Sequence, residues 1–398
     1  MRKALPAAAA VSAIICASCL PVPFDLALSQ GAEAASHMTR DNPSLLVVDQ
    51  GFDPSEQGFA FYPAVLSATM GGGMDYTGGF VTSTRGLGQN VTAVRKDSSS
   101  GHFIEYGSAS LTTANPDAHF PAAVGWPVQA MSGPTGSSYF LQYTFDALDP
   151  LSDNRYSVKK ADDVALTFNP LDDSDMHNRV NLDFSPFDSV VVGASINADT
   201  SGQRDLAHWL AFDVNNPGSY LEILYTVSES GLGGKATPRG SSSRNLSAFL
   251  PASVSASTFT RCAYFYDDNL ALDPSRLPNR SVASWWDLSR AAWVAYEWWE
   301  EPSTGSGTFS YKQLPIGHRL DGLLSTGCLL STEGGTGRLY DLDGKLLAAF
   351  PMGNLVYLGE KFVGGQGRVY FSQCTIYDHA LHFNVYWIAT DQLATLAD

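Results

Sequence analysis

Basic side chains are scarce in this sequence: 24 Lys and Arg stand against 40 Asp and Glu in 398 residues, a formal charge of −16. No block of them forms the positive stripe that a nucleic-acid surface needs. Charge of either sign is sparse at 16%, whereas hydrophobic residues reach 44%; a packed core is possible and global disorder is excluded. The three cysteines of the body, Cys262, Cys328 and Cys374, lack C-x-x-C spacing, which argues against a zinc site. Their odd number requires at least one free thiol or an intermolecular bond. After the leader no window is apolar over the ~18 residues that a membrane span requires. Sustained helical periodicity is also lacking. Catalytic signatures are missing: there is no G-x-S-x-G, no H-E-x-x-H and no phosphate loop, because residues 231–235 (GLGGK) lack both the leading Gly and the following Ser or Thr.

What is present begins with an export signal. Met1-Arg2-Lys3 precedes a short apolar, Ala-rich run ending at Ser18, too brief for a span. Ala17-Ser18-Cys19 places small residues before a cysteine and resembles a bacterial lipoprotein box, with Cys16 where Leu is usual, as in the relaxed boxes of spirochaetes. The resemblance implies a signal peptide over 1–18, lipidation of Cys19 and a mature charge of −18, since Arg2 and Lys3 leave with no acid. The rival is cleavage after Ala32-Glu33-Ala34, far from the apolar run. Residues 19–42 read as a lipid-anchored tether and 43–398 as the extracytoplasmic body.

That body reads as all-β. Runs at 44–48, 58–62, 139–145, 163–168, 190–196, 220–227 and 369–372 are rich in Val, Tyr, Phe, Leu and Thr and are bounded by turn residues. One helix is expected over 284–292, where Ser284 and Asp287 could form a capping box. Three Trp motifs recur: Trp209-Leu210-Ala211-Phe212-Asp213, Trp293-Val294-Ala295-Tyr296-Glu297 and Trp387-Ile388-Ala389-Thr390-Asp391. A weaker echo sits at Trp126. Half of their spacing is about the length of a propeller blade. Asp343-Gly344 is expected to make a type I′ turn between alternating strands. The pattern resembles β-propeller lipoproteins, and it implies seven (or eight) four-stranded blades, closed by a strand near 44–49 that completes the C-terminal blade. The runner-up is two β-sandwich domains split near the Gly/Ser-rich insert 228–246.

Five of the eight Trp lie between Trp285 and Trp299. From Ala292, one strand face carries Val294, Tyr296 and Trp298, the other Trp293, Ala295, Glu297 and Trp299. Two bulky faces suit a strand buried between blades; alternatively Trp285, Trp286, Trp298 and Trp299 form an aromatic partner-binding patch, with Trp293 as core. Acid clusters at Asp172-Asp173-Ser174-Asp175 and Asp267-Asp268 lack the alternating ligands of a calcium loop. His379 and His382 fall on opposite faces of a strand and make poor joint ligands. No catalytic residue, metal or cofactor is assigned. The expectation is a non-catalytic protein-binding scaffold in the periplasm or at the outer membrane, membrane-bound only through its lipid, whose plan is similar to lipoproteins that help assemble outer-membrane proteins. The alternatives are a propeller hydrolase or lyase acting on glycans or peptides, and a host-facing adhesin.

Overall fold

The computed structural model describes residues 24–41 and 45–48, the strands between 57 and 300 with the connections at 97–102 and 290–291, and residues 309–377 and 380–397. The described residues are all-β apart from one N-terminal helix and short 3-10 segments. The strands expected at 44–48, 58–62, 139–145, 190–196, 220–227 and 369–372 are present within a residue or two, the last as part of the longer Gln366–Tyr377; 163–168 lies outside the described residues.

Four separate sheets each hold four antiparallel strands in chain order. They span Gln129–Ser132 to Arg179–Leu182, Ser189–Ala198 to Thr237–Arg239, Ala263–Asp267 to Phe309–Leu314, and Gly322–Leu323 to Leu346–Pro351. A larger sheet divides at one parallel junction into two further groups of four. The last group runs Leu355–Val363, Gln366–Tyr377, Ala380–Ala389 and then back to Leu45–Val48. The first runs Gln57–Pro63, Gly78–Arg85, Gly88–Lys96 and Phe103–Leu111. Six four-stranded groups are thus found among the described residues.

The expected return of the N-terminal strand to the terminal unit is seen. Leu45–Val48 runs antiparallel to Ala380–Ala389, pairing Leu45 with Phe383 and Val48 with Ala380. Its other edge pairs in parallel with Phe103 and Ile104. Val47 is fully buried there, in one cluster with Phe59, Phe61, Val81, Phe103, Tyr370 and Phe383. Phe61 packs edge-on to Phe103 at 5.6 Å. Pairing on both edges is what fixes a strand of only four residues.

The three Trp motifs do not all share one strand position. Trp293 and Trp387 occupy equivalent third strands two groups apart, as their spacing implied, but Trp209 lies on the second strand of the group adjacent to that of Trp293. Part of the stretch read as a tether has regular structure. Phe24–Ser36 is a helix whose Ala34 enters a core cluster with Leu339, Phe350, Met352 and Phe371. Gly31 lies so close to Asn354 that a Cβ would overlap its Oδ1.

Deleting residues 39–50 should remove a buried strand and expose the edges of 103–111 and 380–389. We expect aggregation, or a stability loss on the scale of a whole domain's ~5–15 kcal/mol. Thermal melting at the full-length midpoint would overturn this role.

Candidate functional site

The tryptophan-rich segment is a hairpin, not a helix. Arg280–Asp287 pairs with Ala292–Glu300, matching Trp285 to Val294 and Trp286 to Trp293. Ser284 does not cap a helix: its buried Oγ accepts a hydrogen bond from the Leu320 amide at 3.1 Å. Asp287 instead closes the turn, accepting from the Arg290 amide at 3.2 Å and pairing with the Arg290 guanidinium at 3.3 Å. Ala291 completes the tip at φ +48°, the one non-glycine residue with positive φ among those described, which is strained backbone for a residue with a Cβ.

The alternation read from the sequence holds. Val282 and Ala295 face the next sheet, packing with Leu314, Leu320, Leu329 and Tyr340. On the opposite face Trp285 stacks on Tyr296 at 5.4 Å and 15°. Trp298 is 0% exposed and Trp285 is 5% exposed, so both are core and the four-tryptophan surface is not assembled. Trp299 is half-buried beneath the Arg280 guanidinium, 5.9 Å from its ring; the Trp286 side chain lies outside the described residues. Trp293, expected in the core, is half-buried and donates its indole N–H to Glu333.

Buried charge joins this sheet to its neighbour. Glu297, 1% exposed, meets Arg280 at 3.3 Å and Lys312 at 3.8 Å. Lys312 reaches on to Asp343 at 2.9 Å. Burial pushes the Glu297 carboxyl up, against the pull of Arg280 and Lys312. Asp343 sits in the expected hairpin, but the turn is wider than type I′. Asp341 Oδ1 accepts from the Asp343 and Lys345 amides, and only Gly344 has positive φ, at +80°, where type I′ needs two such residues.

Glu360 is a second buried carboxylate. It accepts from the Ser325 amide at 2.7 Å, the Ser325 hydroxyl at 2.6 Å and the Thr390 hydroxyl. Desolvation nevertheless raises it above its ordinary value. A third acid, Glu333, was not singled out in the sequence. It lies at the half-exposed loop end and gathers the Trp293 indole, the Arg319 amide at 3.3 Å and His318 Nδ1 at 3.5 Å. Its only sequence signal is position, an acid opening the Gly334-Gly335 turn.

Asp172–Asp175 and His379 lie outside the described residues. Among those described, no three His, Cys, Asp or Glu come together as metal ligands, and no helix is long and apolar enough to cross a membrane. Cys328 and Cys374 are unpaired thiols; burial pushes Cys374 up to about 12, leaving it unreactive.

No protein-family model matches the chain, and the comparison with curated proteins finds no match. Among solved structures, a puromycin hydrolase mutant complexed with PGG is similar over 94% of this chain, at 14% identity and TM-score 0.36. This chain spans about half (54%) of that protein's length. The SREBP–SCAP binding domains of fission yeast match at 11% identity and TM-score 0.30, over 85% of this chain and 78% of that one. An endo-arabinase from Bacteroides thetaiotaomicron matches at 11% identity and TM-score 0.29, over 89% and 95%. Likeness at this level carries no functional argument.

Two measurements check the cross-links. Removing one partner of a buried pair strands the other, so Glu297→Ala should cost about 3–5 kcal/mol; Trp298→Ala should cost about as much through its cavity. Glu297 and Glu360 are both held above the ordinary value of 4.5. The folded state therefore binds their protons more tightly than the unfolded chain, and their contribution to stability falls as pH rises from 4.5 through the folded values. Chemical denaturation across that window should show this slope, flattened in Glu360→Gln. An unchanged slope would contradict the assignment.

Proposed function

We propose that this chain is an exported, lipid-anchored β-propeller that serves as a non-catalytic protein-binding scaffold in a bacterial envelope. The observation that carries the propeller reading is the placement of Leu45–Val48. A radial ring of four-stranded units needs its last unit completed by the first part of the chain, and this strand pairs with the last group on one edge and the first on the other. The groups found among the described residues favour six blades over the seven or eight expected from repeat spacing.

The scaffold reading is supported by how the buried carboxylates are used. Glu297 and Glu360 are occupied in bonds between neighbouring strands and sheets, which stiffens a frame and leaves recognition to loops. With Trp285 and Trp298 in the core, the surface we assign to a partner is the loop end formed by Arg290, Ala291, His318 and Arg319. Arg290 and Arg319 are each about half exposed. Anchoring follows from Cys19 through two acyl chains.

Cys19→Ala should move the protein from the membrane to the soluble fraction, and intact mass of the wild type should show an acylated N-terminus at residue 19. A mature chain starting at Ala35 without lipid would overturn the anchor. Affinity capture from envelope extracts should return a defined protein partner, lost in the double variant Arg290→Glu, Arg319→Glu. Capture unchanged by that double variant would overturn the assigned surface.

A further inference from the structure

The helix Phe24–Ser36 is held at two levels of the terminal group of strands. A Cβ on Gly31 would overlap Asn354 Oδ1 and meet Gln373 Nε2 at 3.0 Å, so this turn of the helix lies beside Asn354 and Gln373. Just past the helix, Thr39 pairs with Trp387. Gln373 stands opposite Asn384 on the ladder that ends at Tyr377 and Ala380. Trp387 therefore lies about 10 Å further from those strand ends than Gln373 does. The helix descends along the sheet, and its start points toward Tyr377 and Ala380. From Gly31 back to Phe24 the helix rises about 10 Å, which brings Phe24 to the level of Ile376. Ile376 is 63% exposed, more than any other exposed large hydrophobic side chain among the described residues.

Neighbouring turns join this end through direct contacts. The Gly335 carbonyl accepts from the Met352 and Gly353 amides at 2.8 and 3.0 Å, beside Asn354. Glu333, which opens the Gly334-Gly335 turn, gathers His318, the Arg319 amide and the Trp293 indole. Trp293 adjoins the hairpin tip at Ala291.

We propose that this end of the molecule, with Ile376 and the turns at 290–291, 333–335 and 352–354, lies against the surface of the membrane that holds the lipid on Cys19.

The inference rests on the anchoring reading above, and the length of the intervening chain carries it. Five peptide steps join Cys19 to Phe24, and fully extended they span no more than about 18 Å. Acyl chains fix Cys19 at the headgroup boundary. A helix start packed on the body is thereby kept close to the lipid. The opposite end of the same sheet, at Gly364, Gly365 and Gln366, stands about 33 Å from Ile376 along Gln366–Tyr377. The link is shorter than the sheet, so the body cannot turn that far end to the membrane. Ile376 favours contact at the near end, because an exposed apolar side chain gains by entering the boundary between headgroups and acyl chains. The loop end assigned above to a partner belongs to this face, so that partner is one reached at the membrane surface.

The test follows the full chain, expressed with its own leader and purified into vesicles whose lipid carries a nitroxide quencher. Ile376→Cys and Gln366→Cys alter exposed residues at opposite ends of one strand. Each variant receives a thiol-reactive fluorophore, with wild type labelled in parallel as the baseline for native thiols. We expect the label at 376 to be quenched several-fold more than the label at 366. A flexible Gly/Ser insert of about 20 residues between Pro23 and Phe24 extends the reach by roughly 25 Å and should erase most of that difference. Equal quenching at the two sites, or stronger quenching at 366, in protein that stays membrane-bound would overturn the orientation and leave the anchor standing. Protein that does not fractionate with the membrane would overturn both. A difference that survives the insert at full size would overturn the short link as its cause.

Discussion

Where side chains of this chain are described, its four-stranded groups carry apolar residues on both faces, and that constraint organises the rest. Such a sheet leaves one hydrophobic face in water unless another covers it. The hairpin 280–300 shows it: Val282 and Ala295 are covered by the sheet that follows, while Trp285 and Trp298 are buried on the face behind. A row of such sheets needs partners at its two ends. Leu45–Val48 supplies the join, with Val47 among aromatic side chains from both. Its short length is tolerable because it is hydrogen-bonded on two edges.

Apolar packing between sheets is non-directional, so it leaves their relative register open. Directional groups settle it. The Arg280–Glu297–Lys312–Asp343 chain ties one sheet to the turn of the next, and Ser325 and Thr390 hold Glu360 between elements far apart in sequence. Ion pairs of this kind add modest net stability, but they penalise any packing in which a partner is displaced. Trp293 and Trp387, at equivalent positions, each engage a charged group, Glu333 and Arg368 respectively. The repeated motif is therefore a polar contact as much as a core position.

Strand identity was legible from side-chain type and alternation. The faces of 292–299 follow from the sequence alone, because period two survives in a strand buried on both sides. The strand Leu45–Val48 was legible as a short run of branched apolar residues. The helix over 284–292 failed because a Ser and an acid three residues apart specify only a local option. Here the strand pairing of Trp285 and Trp286 outweighs it, and both polar side chains bond elsewhere. The helix Phe24–Ser36 was missed in the opposite sense: an Ala-rich segment with little amphipathicity declares itself only through what it packs on, here Asn354 and Phe350. The opposition of Lys361 and Arg368 across the ladder was not legible at all. Lys361, Arg368 and Ser372 are commonplace strand residues until the ladder sets them on one face.

The pairing of Leu45 with Phe383 joins residues 338 positions apart. Biosynthesis proceeds at roughly 5–20 residues per second, so the strand made first waits on the order of 17–70 s for the partner made last. Throughout that interval one edge of Leu45–Val48 is an open template in a chain rich in strand-forming segments. This edge therefore cannot be covered until residues 380–383 have been made, and the delay is set by the length of polypeptide between the two strands.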